Sequence, residues 1–301
     1  SWLPSDALAR LGQSDPITIG ELSEVEIEQL KVTDPSLAPL LTDGHPARQV
    51  ARNLFRLARL VSQPASDPVP RTEVDMAEQW WTTADGRRDA GLRDRTRLLQ
   101  GVAVQTLSGA DFLDVTGRAA APIDALVSSG TLRDLGIDRV AFRHDVLREW
   151  AIANALYADP ELIDRLQLDR PAQALFARGV ELAARMAIER ASDGRRWHAL
   201  VVRLSQEGIH RSWRRAALLA LARSEAAEAL LQRASPELLA NGAALLRELI
   251  RTVMAVEVLP AAKVFEAAGV DPALIPASIN VPRGTAWAAL IVWLLGVGDG
   301  V

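Results

Sequence analysis

The sequence predicts a mainly α-helical protein whose helices fall into successive regions. Hydrophobic residues make up 49% of the 301 residues and charged residues 24%, the usual mix for a packed globular chain. Apolar residues recur at helical spacing over most of the length, and short stretches suited to strands are few. We therefore expect a small helical lid domain, a winged-helix-like domain with a short β-hairpin, and a final α-solenoid of the HEAT or armadillo kind or a helical bundle.

The first predicted domain covers residues 1–62 and opens irregularly, with a candidate strand at Ile17–Ile19, where β-branched residues are concentrated. Ser23 is followed three residues later by Glu26, the capping-box pattern of a helix start. From Ala47 to Val61 apolar residues recur on one helical face, which predicts one continuous helix.

The next region combines helices with one hairpin. Residues 63–92 are predicted to be a proline-marked linker with a connecting helix, and residues 93–158 a winged-helix-like domain. Gly136–Asp138 is the expected hairpin turn, and Asp145 the expected cap of the helix that follows. The expected elements are helices at Glu73–Thr82, Arg97–Leu107, Ala120–Ser129 and Asp145–Leu156, and strands at Thr131–Arg133 and Val140–Phe142.

The last predicted domain, residues 159–301, is expected to be helical throughout, including one long helix over Pro236–Met254. The most apolar run, Ala286–Gly296, is well short of the roughly 20 residues that cross a bilayer, so we expect a buried helix and no membrane span. The repeat is too irregular to give a period, so solenoid and bundle both stay open.

Composition and motifs exclude several chemistries. The chain has no cysteine, which rules out disulfides and thiolate sites and fits a reducing compartment, so we expect a cytoplasmic protein. Its four histidines do not share a close helical spacing, and we expect no metal site. No P-loop, H-E-x-x-H or G-x-S-x-G motif occurs, so we expect no catalytic residue and no cofactor held by this chain alone.

Two basic segments are candidates for surfaces that contact a binding partner. Arginines within Arg87–Arg97 alternate with aspartates, and Ala120–Ser129 has no Arg, Lys, Asn or Gln to read bases, so we do not expect sequence-specific DNA binding. The cluster Arg211, Trp213, Arg214 and Arg215 is a candidate surface for phosphate or an acidic partner. The alternative is the start of a helix with its tryptophan packed inward.

The segment Val140–Trp150 resembles the end of the winged-helix domain in STAND NTPases, the P-loop signalling ATPases that include the NACHT and NB-ARC groups. There a strand runs into a His-Asp pair that opens the next helix, and the His reaches the phosphates of bound ADP. The resemblance implies that His144 and Asp145 sense nucleotide phosphate. The alternative for His144 is a hydrogen bond within its own domain.

The upstream sequence adds to the resemblance, which spans residues 15–157. Ile17–Ile27 resembles the entry into the small helical lid of these ATPases, and Ala51–Leu57 resembles a lid helix that reads Arg-Asn-Pro-Phe-x-Leu. In this chain Leu54 stands where the family has Pro.

The resemblance implies an NTPase core before Ser1 that would bind ADP or ATP. This chain would then be the regulatory and sensing half, with the helices after about Pro160 binding a protein trigger or effector. Many bacterial members of the superfamily resemble signalling or antiviral defence switches, so the resemblance also implies that role here, with homo-oligomer formation on activation. Two other functions stay open: a stand-alone helical scaffold for protein interactions, and a winged-helix regulator that binds DNA.

Overall fold

The structure, a computed structural model, describes residues 21–63, 67–86, 89–266, 271–276, 278–282 and 284–298. Over these residues it has fifteen α-helices and two small antiparallel sheets, which confirms the mainly helical fold class. Internal contacts divide the chain into two units, residues 1–71 and 72–301. The candidate strand at Ile17–Ile19 lies outside the described residues, and the predicted boundary at residue 158 falls inside the second unit.

The described residues of the first unit form four α-helices around a small core. The Ser23 side chain accepts from the Glu26 N–H, and the Glu26 carboxylate accepts from the Ser23 N–H, so the predicted capping box is confirmed. Ile27 is fully buried behind this cap. The helices are α1 (Glu24–Thr33), α2 (Ala38–Leu41), α3 (Arg48–Ala51) and α4 (Leu54–Ser62).

The continuous helix predicted from Ala47 to Val61 is wrong, because Asn53 interrupts it. The Asn53 backbone is extended, and its side-chain oxygen accepts from the N–H groups of Phe55 and Arg56 at 3.1 and 3.2 Å. This is the N-cap arrangement that asparagine favours, and it starts a new helix rather than continuing the old one. Leu54 and Val61, predicted to face inward, are 45% and 53% exposed.

The second unit begins with four helices and a three-stranded sheet. Strand β1 was not predicted, whereas the hairpin of β2 and β3 was, with its turn at residues 136–138. Leu113 pairs with Val140, and Leu132 with Phe142, which gives the strand order β1-β3-β2. The elements are α5 (Glu73–Thr83), α6 (Leu92–Leu107), β1 (Leu113–Asp114), α7 (Ala120–Ser128), β2 (Leu132–Asp134), β3 (Arg139–Phe142) and α8 (Asp145–Ala158).

The remaining elements are mostly helical, with two departures from the prediction. Residues 240–243 leave helical geometry, and Asn241 and Ala243 have φ of 52° and 59°, so Pro236–Met254 is not one continuous helix. Two short strands also pair here, where only helices were expected. The elements are α9 (Ala174–Glu189), α10 (Arg195–Arg203), α11 (Arg211–Arg223), α12 (Ala227–Arg233), α13 (Ser235–Val256), β4 (Val258–Pro260), α14 (Ala261–Glu266), β5 (Asn280–Pro282) and α15 (Gly284–Gly298).

Helix α8 is the centre of the second unit. It packs on α9 over a larger contact than any other pair of described elements makes, and it also touches α5 and α6. Gly179 of α9 permits this close approach, because a Cβ atom there would lie 2.4 Å from Cγ2 and 2.9 Å from Cβ of Ile152 in α8. The side chains of α8 are accordingly buried from Trp150 to Leu156.

Helices distant in the chain also meet in this unit. Helix α15 packs on both α11 and α12, and α11 packs on α9, α13 and α15. A solenoid needs contacts only between successive repeats, so these longer-range contacts favour the bundle alternative. None of the described helices is long and apolar enough to cross a membrane.

Replacing Gly179 by alanine tests the α8–α9 contact. We expect the Gly179→Ala variant to lose about 2 kcal/mol of stability, because the added methyl group overlaps Ile152. Urea unfolding followed by tryptophan fluorescence reports this unit, which holds seven of the eight tryptophans.

The matched control is Gly101→Ala in α6, where a Cβ would meet only the Arg118 guanidinium, at 3.6 Å. Alanine should raise stability there by about 0.5–1 kcal/mol through helix propensity. Equal effects of the two substitutions would contradict the close approach of α8 and α9.

Candidate functional site

The predicted pair His144 and Asp145 lies at the exposed start of α8. His144 has extended backbone, with φ of −132° and ψ of 144°, and is the N-cap residue. Its carbonyl accepts from the N–H groups of Leu147 and Arg148 at 3.1 and 3.2 Å. The helix therefore begins at Asp145, and the prediction that Asp145 is the cap was wrong by one residue. Both side chains are exposed to solvent.

The backbone just before this pair is held by the hairpin. The Arg143 N–H donates to the Thr131 carbonyl at 3.0 Å. The Thr131 hydroxyl accepts from the Trp80 indole N–H at 3.2 Å and donates to Asp85 at 2.5 Å. The Trp80 ring also packs on the Phe142 ring, with centroids 6.4 Å apart. The start of α8 is thus fixed between the β2–β3 hairpin and α5.

One turn further along, α8 enters the interior. Trp150 is fully buried, and its indole N–H donates to Glu73 Oε1 at 3.0 Å. Asn154 of the same helix is buried too, and its amide donates to the Trp150 carbonyl at 2.9 Å. The exposed pair at the head of α8 is therefore joined by one rigid helix to a buried carboxylate on α5.

Glu73 belongs to a cluster of charged side chains between α5, α8, α9, α11 and the end of α13, which we call the charge cluster. Glu73 is 1% exposed, and Glu181 and Arg185 are each 2% exposed. Such burial costs several kcal/mol per ion unless each charge is paired and hydrogen-bonded. The described members of the charge cluster are Glu73, Glu149, Arg178, Glu181, Arg185, Glu189, Arg223, Glu225 and Glu257.

Two arginines of α9 connect the carboxylates at the centre of the charge cluster. Arg178 donates to both Glu73 and Glu181. Arg185 donates to Glu181 at 2.9 Å and to the Arg223 carbonyl, at the end of α11, at 2.5 Å. Among the described residues, the other two Arg185 nitrogens have no hydrogen-bond partner, and Nη1 lies 3.7 Å from a Glu73 carboxylate oxygen and 3.5 Å from one of Glu225. Removing one carboxylate would take a charged hydrogen-bond or ion-pair partner away from a buried guanidinium.

Arg223 extends the charge cluster to α13. It donates to Glu181 at 2.9 Å and to Glu257, the residue that caps the end of α13, at 2.6 Å. Glu189 lies at the edge of the cluster, where its carboxylate accepts hydrogen bonds from the hydroxyl groups of Thr72 and Ser224, both at 2.7 Å. These bonds tie the ends of several helices to one ionic centre.

The pKa of Glu181 shows how the cluster compensates buried charge. Burial acts to raise this pKa, but the positive charges of Arg178, Arg185 and Arg223 outweigh burial and hold it below its usual value. Glu181 is therefore ionised at neutral pH, as the three guanidiniums around it require.

The pKa of Glu149 is shifted in the opposite direction, upwards. Burial raises its pKa from 4.5 to about 7, because Arg178, 3.9 Å away, only partly offsets burial and the nearby charges of Glu73, Asp145 and Glu181. Burial likewise raises the pKa of Glu189. The negative charge of Asp145, about one helical turn before Glu149, helps to raise the Glu149 pKa. This effect connects the predicted sensor pair to the charge cluster.

The predicted basic surface at Arg211–Arg215 is not one continuous patch. Trp213 is 2% exposed, and its indole N–H donates to the Arg170 carbonyl at 2.9 Å, so its ring offers no surface to a partner. Arg214 pairs with Glu248 at 2.6 Å. Arg211 is exposed and Arg215 is half-buried. The inward tryptophan matches the alternative reading of this segment as a helix start.

The charge cluster was not predicted from the sequence. A usable signal was present, because Arg178, Glu181 and Arg185 follow each other at helical spacings of three and four within an Ala- and Leu-rich helix. Acids and bases on an otherwise apolar face mark buried ion pairs. Glu73 lies 101 residues before the start of this helix and Glu257 lies 68 residues after its end, and no local pattern joins them to it.

Replacing Glu149 by glutamine tests the raised pKa. Because the folded state holds the proton more tightly than the unfolded chain, the stability from neutral Glu149 is fully present below about pH 4.5 and is lost as pH rises through about 7. We expect Glu149→Gln to equal the wild type at pH 4.5 and to become the more stable of the two by pH 8. Urea unfolding across this range measures the difference.

The control for this prediction is Glu161→Gln, on the surface of the same unit, with its side chain 79% exposed. It should change the free energy of unfolding by less than about 0.5 kcal/mol at every pH. A Glu149→Gln variant whose difference from the wild type does not change with pH would contradict the raised pKa.

No protein-family model matches the chain, and no curated protein shows significant similarity to it. The described residues contain no group of three or more His, Cys, Asp or Glu side chains placed to hold a metal ion.

Proposed function

We propose that this chain is the regulatory and sensing region of a STAND-type signalling ATPase. In this proposal the nucleotide held by a preceding NTPase core is sensed at His144 and Asp145. A structural change at that pair is transmitted through α8 to the helices after Pro160, and these helices bind a protein partner. The proposal rests on the resemblance of Val140–Trp150 to that superfamily and on one structural observation.

The observation is that a strand leads into an exposed His-Asp pair at the head of a closely packed helix. His144 follows β3 and precedes α8, and α8 packs on α5, α6 and α9. A displacement at the head of α8 would therefore disturb several packed contacts together, because close-packed interiors deform little. This is the arrangement that a switch needs between a sensor and a distant binding surface.

The residues at the head of α8 fit a phosphate group. A nucleotide would supply phosphate oxygens, which accept hydrogen bonds from an imidazole N–H and are attracted to the positive end of a helix. His144 and Arg143 are both exposed beside the N-terminus of a helix of 14 residues. Asp145, in the first turn, stabilises the helix start by the same dipole interaction.

Two further features support the proposal. The sheet order β1-β3-β2 beside α7 suits the small antiparallel sheet of a winged-helix-like domain. In the first unit, Asn53 caps α4 and Leu54 is the first residue of that helix. The first helical position is the one at which proline is most favoured, so Leu54 occupies a place where the family's proline would fit.

Calorimetry of ADP binding tests the proposal, using the full gene product that contains this chain. We expect His144→Ala to weaken ADP binding about tenfold or more, equal to about 1.4 kcal/mol. The loss follows from removing the imidazole N–H that donates to phosphate. A Walker A motif encoded before Ser1 is a prerequisite that sequencing checks.

The matched control is His198→Ala, which removes a half-buried histidine from α10, away from the head of α8. It should leave ADP affinity unchanged. If ADP does not bind, or binds His144→Ala as tightly as wild type, nucleotide sensing is excluded and the stand-alone helical scaffold becomes the better proposal.

A further inference from the structure

The second unit contains an apolar pocket near the C-terminal end of α8. Its volume is about 180 Å³, and it lies between α8, α9, α10 and the 3₁₀ turn of Pro160–Arg165. An engineered apolar cavity of about 150 Å³ stays dry and binds benzene, so this pocket is large enough for an aromatic ring. Its floor is buried and consists of Leu156, Ile163, Val180, Ala183 and Ala187.

Small side chains create this space. Ala183 and Ala187 project from successive turns of α9, and Ala199 of α10 lies at the rim. Closely packed helices usually fill such a junction with larger side chains, since interiors are packed as densely as organic crystals. Pro160 and Ala199 are exposed while the floor is buried, so the pocket opens to solvent.

The rim carries two arginines in different electrostatic states. Arg196 and Arg203 are seven residues apart on α10, so they lie on the same helix face. Arg203 is neutralised by Glu161 at 3.1 Å and Asp164 at 2.7 Å. Arg196 has no carboxylate partner among the described residues; it donates to the Tyr157 carbonyl at 2.5 Å and lies 3.9 Å from the centre of the Tyr157 ring.

We propose that this pocket binds a small apolar carboxylic acid, with its ring or branched chain in the pocket and its carboxylate against Arg196. The apolar floor supplies the affinity through buried area, and the single uncompensated guanidinium supplies the orientation. A guanidinium already stacked on an aromatic ring loses little freedom when it takes a carboxylate. This inference does not depend on the proposed nucleotide switch.

The pocket chemistry selects against other ligands. A cation would meet Arg196 without a compensating carboxylate in the floor, which is apolar throughout. Ordered water needs two to four polar partners, which the apolar floor does not offer. A long acyl chain exceeds a pocket of about 180 Å³, so the ligand is of the size of a phenylalkanoic acid.

Titration with 3-phenylpropionate and its uncharged amide tests the inference, with binding followed by protein NMR on the full chain. We expect the acid to bind the wild type at least fivefold more tightly than the amide. Arg196→Gln should remove this preference, because only the acid uses the guanidinium. The control Arg195→Gln changes the adjacent arginine, whose side chain is 85% exposed and pairs with Asp193, and should keep the preference.

A second variant separates pocket binding from surface charge. Ala199→Leu places a larger side chain at the exposed rim, where it can be accommodated without disturbing the core, and should weaken binding of both compounds at least tenfold. Ala229→Leu, an exposed alanine on α12 outside the pocket, should have no effect. Absence of acid binding to the wild type, equal affinity for acid and amide, or binding indifferent to Ala199→Leu would each overturn the inference.

Discussion

The second unit depends on keeping a set of buried charges compensated. Six carboxylates and three guanidiniums of the described residues meet between helices far apart in the chain. Each helix end that contributes to the charge cluster is held there, because withdrawing one partner breaks charge-assisted hydrogen bonds in a low-dielectric interior. The apolar core supplies most of the stabilisation, but the cluster fixes which helix faces meet. The excess of carboxylates is relieved by raised pKa values at Glu149 and Glu189.

Helix α8 connects the features that bear on function. Its exposed head carries His144 and Asp145, its middle enters the charge cluster through Glu149 and the bond from Trp150 to Glu73, and its C-terminal end forms part of the apolar pocket. The charge of Asp145 acts on the pKa of Glu149 one turn away.

Local rules predicted much of the fold and little of the site. Short sequence patterns predicted three kinds of feature that the structure contains: the capping box at Ser23, the hairpin turn at Gly136 and most helices after Pro160. The break at Asn53 was missed because the apolar periodicity of Ala47–Val61 outweighed a single capping residue in the prediction. Strands β1, β4 and β5 are only two or three residues long, too short for any periodicity to show. The charge cluster was missed because its contacts are set by tertiary packing across more than 150 residues of sequence, as between Glu73 and Glu225.

A double-mutant cycle between Glu73→Gln and Glu257→Gln tests most directly whether the charge cluster acts as one unit. The two carboxylates lie at opposite ends of the cluster and are connected through Arg178, Arg185, Glu181 and Arg223. Each single substitution should cost about 3 kcal/mol in urea unfolding, because each removes the carboxylate from a buried, charge-assisted hydrogen bond to an arginine. We expect a coupling energy of about 1 kcal/mol or more between them, against additivity for Glu73→Gln with the surface variant Glu161→Gln. Additive effects of Glu73→Gln and Glu257→Gln, within about 0.4 kcal/mol, would show that the buried charges are independent local pairs and would contradict the account.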